Sequence, residues 1–369
     1  MKPLGVGIVG CGVISDIYLA NAALFPQIAL RAVADLRPEA AAEKAAAHGV
    51  DAVSVAQLMA RDDIDIVLNL TIPAAHVEIG LAALEAGKHV YSEKPLAGSV
   101  SEARRLLDAA EARGLRVGCA PDTFLGGGHQ TARALLDGGL IGAPTAGTAT
   151  LMLPGHERWH PNPDFYYAGP GAGPLFDMGP YYITGMVNLL GPARRVAAFG
   201  VRARDRRTIA TGPRAGATVP VDVATHVAGV MEFASGAVVQ IATSFDVPAH
   251  QHKPLELYGT EGSLLIPDPN RFDGDVEMFD GAWAVQPMTH GHGDGNYRGL
   301  GLADMAAAIA ENRPHAASGA LALHVLEAME ALLASSDSGR AIELSTTCDR
   351  PAALAPGAAV GVIRTVETI

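Results

Sequence analysis

The first third of the chain alternates short apolar runs with segments in which alanine and leucine recur at helical spacing. The run from Leu4 to Val9 is uninterrupted and ends at a glycine, which is typical of a strand buried on both faces of a parallel sheet. Further strands are predicted at 30–34, 64–70, 89–91 and 116–119, with helices at 17–24, 38–48, 74–86 and 101–113. This alternation predicts an α/β fold that begins with a doubly wound parallel sheet.

The pattern changes after Pro121, where longer β-rich runs follow one another closely. A helix is predicted at 130–136, strands at 145–153, 195–201, 225–233, 237–245, 255–258 and 263–266, and helices at 302–310 and 321–335. Turn signals between these strands indicate an α/β domain with a large open, mostly antiparallel sheet. We therefore expect a first domain at 1–124, a second at 125–350 and a loose C-terminal tail at 351–369.

Composition narrows the class of ligand. The chain has a formal net charge of −12, which argues against nucleic acid as a partner because that binding requires clustered Lys and Arg. No apolar stretch approaches the roughly 20 residues of a membrane span, so no membrane association is expected. Three scattered cysteines do not make a disulfide framework, which predicts a reducing cytoplasm. Small molecules become the expected ligands.

A glycine loop follows the first strand. Gly10 allows a tight turn, and Gly12 lets the backbone approach a pyrophosphate placed over Val13 and Ile14 at the start of the next helix. Ser15 takes the place of the third glycine in G-x-G-x-x-G, and a small residue there still permits close helix packing. The loop, between a predicted strand and a predicted helix, indicates dinucleotide binding.

An acidic residue, Asp35, ends the second predicted strand about 20 residues after the loop, where a ribose hydroxyl is read. Its carboxylate would repel a 2′-phosphate and so favours NAD. Arg37 could accept such a phosphate, which keeps NADP open. We expect NAD as the cofactor.

A second motif, Tyr91-Ser92-Glu93-Lys94-Pro95-Leu96-Ala97, ends a predicted parallel strand. Together with Ile72-Pro73-Ala74-Ala75-His76 and Gly259-Thr260-Glu261-Gly262 it resembles the glucose-fructose oxidoreductase, inositol dehydrogenase and MocA (Gfo/Idh/MocA) family over nearly the whole chain. The resemblance implies a Rossmann domain, a following α/β domain with an open sheet, a nicotinamide cofactor and a sugar, polyol or related substrate. It also implies a homo-oligomer, a dimer or tetramer, built through that sheet.

The resemblance also implies roles for individual residues. Lys94 is implied as a catalytic residue that also touches both the nicotinamide and the substrate hydroxyl. The other cofactor contacts that it implies in this part of the chain are Thr71, Pro73, His76 and Glu93.

The segment 171–184 is similar to the family's glycine-rich approach to a helix with the pattern D-x-G-x-H-x-x-D. Asp177 matches the first aspartate and is implied as catalytic and substrate-binding, but Tyr181 stands in place of the histidine and Thr184 in place of the second aspartate. We hypothesise that Lys94 lowers the pKa of Tyr181, so that the tyrosine takes the proton of the substrate hydroxyl. The alternative is that Tyr181 packs as an ordinary helix aromatic.

The segment 156–167 is dense in aromatic and hydrogen-bonding groups, as a sugar-binding loop would be, although a proline-rich surface loop is equally compatible with it. Trp159, His160 and Asn162 are its candidate substrate contacts, and His160 is an alternative proton acceptor. The sequence His290-Gly291-His292 is more typical of a glycine-rich loop than of a metal site, so we predict no bound metal.

Three functions are compatible with these motifs. The leading one is an NAD(P)-dependent dehydrogenase acting on a CH–OH group of a sugar, polyol or glycoside. The second is a hydrolase or lyase that retains NAD and oxidises a ring hydroxyl transiently to eliminate a substituent. The third is a non-catalytic sensor of cofactor or sugar, which the pairing of Lys94 with Asp177 disfavours.

Overall fold

The structure, a computed structural model, describes residues 2–169 and 171–366. Its first sheet has six strands, joined by helices. The strands are β1 (Leu4–Val9), β2 (Ile28–Ala34), β3 (Asp51–Ala52), β4 (Ile66–Asn69), β5 (His89–Ser92) and β6 (Val117–Cys119), and the helices are α1 (Ser15–Asn21), α2 (Pro38–His48), α3 (Val55–Met59), α4 (His76–Glu85) and α5 (Val100–Glu111). All neighbouring strands are parallel, in the order β3-β2-β1-β4-β5-β6. This confirms the predicted doubly wound sheet.

The strand order places the predicted motifs side by side. Residues of the central strands such as Ile8 and Val67 are fully buried, as expected where helices cover both faces of a parallel sheet. The order reverses between β1 and β4, and ligands of such sheets bind at the carboxyl ends of the strands near that reversal. Gly10 follows β1, Thr71 follows β4 and Glu93 follows β5, so the three loops meet at one edge.

The remaining elements build a second sheet with helices on one face. The helices are α6 (Gly127–Asp137), α7 (Pro174–Leu190), α8 (Leu300–Glu311) and α9 (Gly319–Ser338), and the strands are β7 (Pro144–Met152), β8 (Ala193–Val201), β9 (Arg206–Thr208), β10 (Thr218–Pro220), β11 (His226–Phe233), β12 (Val238–Ser244), β13 (Leu255–Gly259), β14 (Ser263–Ile266), β15 (Glu277–Phe279), β16 (Trp283–Val285) and β17 (Ile342–Glu343). Nine strands form the sheet in the order β16-β15-β14-β13-β7-β12-β11-β8-β17. Only β7 and β12 pair in parallel, so the sheet is largely antiparallel as predicted.

A short antiparallel ribbon of β9 and β10 stands apart from both sheets. It has its own small apolar core, formed by Tyr167, Ile209, Val219, Val221 and Phe245. Two of these residues belong to other segments, since Tyr167 precedes α7 and Phe245 follows β12. The ribbon is therefore fastened to the loop before α7, the loop in which substrate contacts were predicted.

The last helices return to the first sheet. Helix α8 packs against β6, and α9 packs against α5, α7 and β8. Asp122, just after β6, accepts hydrogen bonds from the backbone N–H groups of Gly299 (2.9 Å) and Gly301 (3.0 Å) at the start of α8. The single boundary predicted near residue 124 is thus a simplification, because α8 belongs by its packing to the first sheet.

The segment after Arg350, as far as residue 366, is not the loose tail that the sequence indicates. Leu354 and Ile363 are buried, and Leu354 forms an isolated β-bridge with Thr365. His290 Nε2 lies 3.0 Å from the carbonyl oxygen of Leu354, and the backbone N–H of Gly361 donates to His292 Nε2 at 2.9 Å. The two histidines considered for a metal site therefore hold the C-terminal segment; the last three residues lie outside the described ranges.

Among the described residues, one helix, Gly319–Ser338, is long and apolar enough to cross a membrane by length and composition alone. Most of this helix is buried inside the protein. The core helix of a soluble protein passes the same test, so this is weak evidence for a membrane span. The packing of α9 between the two sheets accounts for its apolar character.

Candidate active site

The glycine loop has the geometry that a dinucleotide requires. Gly10 has φ = +105°, and a Cβ there would lie 2.6 Å from the carbonyl carbon of Leu70. Only glycine fits such a position without strain. At Gly12 a Cβ would meet nothing within 4 Å, and Val13 is 93% exposed, so this side of the loop is open to a ligand. The residues present fit a bound pyrophosphate.

The carboxylate of Asp35 is anchored beside this loop. One oxygen accepts a hydrogen bond from the backbone N–H of Cys11 (2.8 Å) and the other from that of Arg37 (2.9 Å). Partial burial acts to raise the pKa of Asp35, but these two N–H groups hold it below its usual value. The Arg37 guanidinium is mostly exposed, with Nε 3.7 Å from the carboxylate. Asp35 is thus an ionised acceptor in the position expected to bind a ribose diol.

The loop after β4 carries three of the predicted cofactor contacts. Thr71 is half-buried and Pro73 is exposed, so both can face a ligand. His76 is fully buried, with Nδ1 2.7 Å from the carbonyl oxygen of Pro95 and Nε2 3.0 Å from that of Thr71. Burial lowers its pKa. The prediction that His76 contacts the cofactor is corrected, because its ring has no exposed surface and instead ties the Thr71 loop to Pro95.

Glu93 fixes the backbone next to Lys94. It is 8% exposed, and its Oε1 accepts from the hydroxyl of Tyr18 (2.8 Å) on α1. Its Oε2 accepts from the backbone N–H of Lys94 (3.0 Å). The Lys94–Pro95 peptide bond is cis. Glu93 therefore connects the helix of the glycine loop to the backbone that presents Lys94.

The Lys94 side chain spans the gap between the two parts of the fold. Its Nζ donates to the backbone oxygen of Asp177 (2.6 Å) and lies 3.2 Å from the Asp177 carboxylate. Burial acts to lower the pKa of Lys94, but Asp177, Tyr181 and Glu93 together outweigh it and hold the pKa above its usual value. Burial likewise acts to raise the pKa of Asp177, and Lys94 holds it low. The two side chains form an ion pair at neutral pH.

Helix α7 brings Asp177 to this position. Gly173 precedes the helix with φ = +93°, and its carbonyl accepts the backbone N–H of Asp177 at 3.0 Å, which starts the first turn. A negative side chain in the first turn of a helix is favoured by the helix dipole. Thr184, where the family resemblance places a second aspartate, is 2% exposed and faces the interior. Asp177 is the acidic side chain that α7 offers to Lys94.

His156 also contacts Asp177, and the sequence interpretation missed it as a site residue. Its Nε2 lies 3.0 Å from Asp177 Oδ2, and its Nδ1 lies 3.1 Å from Trp159 Nε1. An indole N–H only donates, so Nδ1 accepts and Nε2 carries the proton that His156 donates to Asp177. The ring is 7% exposed and packs on Tyr166 and Phe245 at centroid distances of 4.1 and 4.6 Å. A loop thus supplies an imidazole where helix α7 has none.

Tyr181 lies one turn after Asp177 and is 8% exposed. Lys94 Nζ is 5.4 Å from the centroid of its ring and lies over the ring. Burial raises the pKa of Tyr181, against the opposing effects of Lys94 and of Arg298, which interacts with its hydroxyl. The expected lowering of the Tyr181 pKa by Lys94 is not found, because desolvation outweighs both cations. The role of Tyr181 at the substrate hydroxyl stays a prediction.

The predicted contacts in the loop before α7 lie farther out. Trp159 is 58% exposed and reaches Asp177 only through His156. The Nδ1 of His160 accepts the backbone N–H of Asn162 (3.1 Å), and its ring packs against those of Trp159 and Phe165. The Asn162 side chain is exposed. His156, and not His160, is the histidine at the site; its place in an aromatic segment was the signal that could have found it.

A buried ionic cluster holds this loop in place. Arg207 on β9, 3% exposed, lies 2.9 Å from Glu157 and also pairs with Asp246. The hydroxyl of Tyr167 donates to Glu157 and accepts the backbone N–H of His156 at 2.8 Å. The cluster therefore connects the β9–β10 ribbon to the residue that binds Asp177. Within the described ranges, no group of three or more His, Cys, Asp or Glu side chains is arranged to hold a metal ion.

Comparison with known proteins agrees with this geometry. The family model described as an oxidoreductase family with an NAD-binding Rossmann fold matches residues 4–120, and the model of the GFO/IDH/MocA C-terminal domain matches residues 129–265. The chain is similar to levoglucosan dehydrogenase of Pseudarthrobacter phenanthrenivorans, with 29% identity over 296 residues (72% of this chain and 74% of the relative). It is also similar to dTDP-3,4-didehydro-2,6-dideoxy-alpha-D-glucose 3-reductase of Actinomadura kijaniata, with 31% identity over 243 residues (63% and 70%).

Solved structures share the fold across both sheets. Levoglucosan dehydrogenase in complex with NADH and L-sorbose has a TM-score of 0.80 at 24% identity, covering 94% of this chain and 100% of that one. Aldose-aldose oxidoreductase from Caulobacter crescentus, complexed with glycerol, has a TM-score of 0.77 at 22% identity, covering 93% and 100%. The chain therefore belongs to the GFO/IDH/MocA family and is an NAD-binding oxidoreductase.

Proposed function

We propose that the protein transfers hydride between NAD and a secondary alcohol of a sugar, polyol or glycoside. The observation that carries this proposal is the Lys94 ammonium, held by Asp177 at the edge where the glycine loop and the second sheet meet. Relatives such as levoglucosan dehydrogenase and the 1,5-anhydro-D-fructose reductase of Ensifer adhaerens act on sugars or their anhydrides by name. The preferred cofactor is NAD, because the anchored Asp35 carboxylate disfavours a 2′-phosphate.

The reacting oxygen of the substrate binds to the Lys94 ammonium. A bound nicotinamide would exchange the hydride with the carbinol carbon. In oxidation the hydroxyl proton passes to the Asp177 carboxylate beside Lys94 and from there to solvent, and in reduction it returns by the same route. Negative charge develops on the substrate oxygen during oxidation, and a fixed cation in a half-buried site stabilises it far more than water does. Asp177 keeps Lys94 charged and orients it, and the N–H of His156 keeps Asp177 ionised and directed at Lys94.

Tyr181 takes the position of the family's histidine but acts differently. We infer that its ring supports Lys94 from below and that its protonated hydroxyl, held near Arg298, is a hydrogen-bond donor facing the substrate oxygen. Since its pKa is raised, no titration of Tyr181 contributes to the activity profile near neutral pH. The imidazole of His156, contributed by the loop, takes over the polar contact with Asp177.

Mixing the purified protein with NAD or NADP and a panel of polyols, free sugars and glycosides tests the proposal. We expect reduced nicotinamide to accumulate, measured by its absorbance, with NAD preferred over NADP. Cleavage of a glycoside without accumulated reduced cofactor would favour the hydrolase or lyase that retains NAD. Ligand binding without turnover across the whole panel would favour the sensor and contradict the proposal.

We propose further that the protein is cytoplasmic, binds neither nucleic acid nor membrane, and assembles as a homo-oligomer. The face of the second sheet opposite the helices exposes Phe199 (79%), Val201 (54%), Val230 (42%) and Val238 (43%), a larger apolar surface than scattered side chains would give. A second copy packing on this face would form a symmetric dimer. Sedimentation at micromolar concentration is expected to show a dimer or tetramer, and a monomer would contradict this.

A further inference from the structure

The loop that contacts the candidate active site leaves large aromatic side chains in solvent. Trp159 is 58% exposed and Phe165 is 57% exposed. Hydrating so much apolar surface is unfavourable, so two such groups on one loop beside the charged pair of the site are a sign of ligand binding. Neither side chain contacts Lys94 or Asp177 directly. The proposed reaction at that pair therefore gives no reason for the exposure of Trp159 and Phe165.

Trp159 is fixed relative to the reacting groups. Its indole N–H donates to His156, whose opposite nitrogen binds Asp177, and the indole and imidazole planes meet at 88°. Two hydrogen bonds and one imidazole ring separate the indole nitrogen from the carboxylate, a span of at most about 8 Å. A substrate of two linked rings is long enough to cover this span.

The two exposed rings are joined by a third, half-buried ring into a continuous strip. His160 lies between Trp159, at a centroid distance of 5.3 Å, and Phe165, at 5.4 Å. The ring of Tyr166 backs the strip at 4.1 Å from Phe165 and itself packs on His156. The strip, defined here as Trp159, His160 and Phe165, is therefore supported by the same packing that positions His156.

The strip also offers a polar group. The Nδ1 of His160 accepts the backbone N–H of Asn162 at 3.1 Å, so in the neutral ring the proton is on Nε2. That N–H is a donor suited to a hydroxyl. Two apolar ring faces with one donor between them match a pyranose, which presents C–H groups on its faces and hydroxyls at its edge.

We propose that the strip is a subsite for a second ring of the substrate, either a sugar or an aryl aglycone in glycosidic linkage to the ring that reacts at Lys94. The proposal rests on the proposed function and narrows its substrate class to glycosides and disaccharides. The second ring stacks on Trp159 and Phe165 while His160 donates to one of its hydroxyls. Displacement of water from these faces supplies binding energy that a monosaccharide or a methyl glycoside cannot gain.

The first test compares matched substrates. For the hexose that supports NAD reduction, kcat/KM is measured with its methyl glycoside and with its phenyl glycoside of the same anomeric form. We expect the wild type to favour the phenyl glycoside by about tenfold, the size of one aromatic contact, and Trp159→Ala and Phe165→Ala to bring the ratio close to one. Trp159→Ala also removes a hydrogen bond to His156. Any resulting loss of activity at the reacting ring is the same for both substrates and cancels in the ratio of their kcat/KM values.

Trp283 provides the matched control. It is the other of the two tryptophans of the chain, is 47% exposed and lies on β16 at the far edge of the second sheet. Trp283→Ala is expected to keep the wild-type ratio. A ratio near one in the wild type, or one that Trp159→Ala and Phe165→Ala leave unchanged, overturns the subsite.

The second test needs no turnover. In the Trp283→Phe variant Trp159 is the only remaining tryptophan, so tryptophan fluorescence reports directly on the strip. Cellobiose and the phenyl glycosides are expected to quench or shift that emission, and the methyl glycosides are not. If the emission responds but the protein reduces NAD with no sugar, the subsite stands and the proposed function is rejected. If the protein reduces NAD but the emission does not respond, the proposed function stands and the subsite is rejected. If Trp159→Ala changes the sedimentation of the protein but not the ratio, the strip is a contact between copies and the proposal fails.

Discussion

Replacing Lys94 by methionine is expected to lower kcat by about three orders of magnitude, the size of effect found when one preorganised charge is removed from an active site. The ammonium is the cation next to the reacting oxygen, and its nearest carboxylate is Asp177, at 3.2 Å. Methionine keeps the length and apolar stem of the side chain but cannot stabilise negative charge. The measurement is steady-state turnover with the sugar that the wild type oxidises, together with NADH binding to the same variant.

The expected pattern separates chemistry from folding. NADH should still bind, since the glycine loop and Asp35 are untouched and the variant removes only the contact of Lys94 with the nicotinamide. The Lys94→Arg variant should fold normally, because the arginine still compensates the charge of Asp177. Its turnover should nevertheless be slow, because the planar guanidinium cannot place a single donor as the ammonium does. Tyr181→Phe is expected to lose about tenfold or less and to keep the pH profile of the wild type, because its raised pKa removes it from titration. Near-normal turnover in Lys94→Met would contradict the assignment.

The fold was predictable where local pattern and tertiary packing agree. The continuous apolar run of β1 and the glycine that ends it are set by burial between two helix layers, and the structure places β1 at Leu4–Val9. The two-residue β3 and the five-residue α3 were not predicted, because they are too short to show a period of hydrophobic residues in the sequence. The C-terminal segment reads as loose because its contacts, such as those of Leu354 and Ile363, are with residues far away in the sequence.

The residues of the candidate site were likewise predictable only in part. Asp35 and Lys94 follow from motifs whose chemistry depends on strand ends, which the sequence reveals. The sequence places His76 and His156 in candidate segments, but it does not show what either ring contacts. What distinguishes them is burial between two carbonyl groups in one case and the approach of a distant carboxylate in the other. The state of Tyr181 likewise depends on desolvation in the assembled fold, which outweighs the nearby cations.

The buried cluster around Arg207 gives the second large effect. Removing one partner of a buried ion pair costs about 3–5 kcal/mol, because it leaves uncompensated charge in a poorly solvated place. Arg207→Met leaves Glu157 and Asp246 without their cation, and their side chains are only 7% and 13% exposed. We expect the free energy of unfolding in urea to fall by about that amount.

The adjacent Arg206 is the matched control. It is exposed and hydrogen-bonds Thr218 across the same ribbon, so Arg206→Met should change the free energy of unfolding by no more than about 0.5 kcal/mol. The two variants remove the same charge from neighbouring positions of β9, and only the buried one leaves carboxylates unpaired. Because the cluster also holds the backbone of His156 through Tyr167, Arg207→Met should lower kcat in conditions where it is still folded, and Arg206→Met should not. Equal destabilisation by the two variants would mean that the buried pairing adds nothing and that the apolar core of the ribbon alone holds the loop against Asp177.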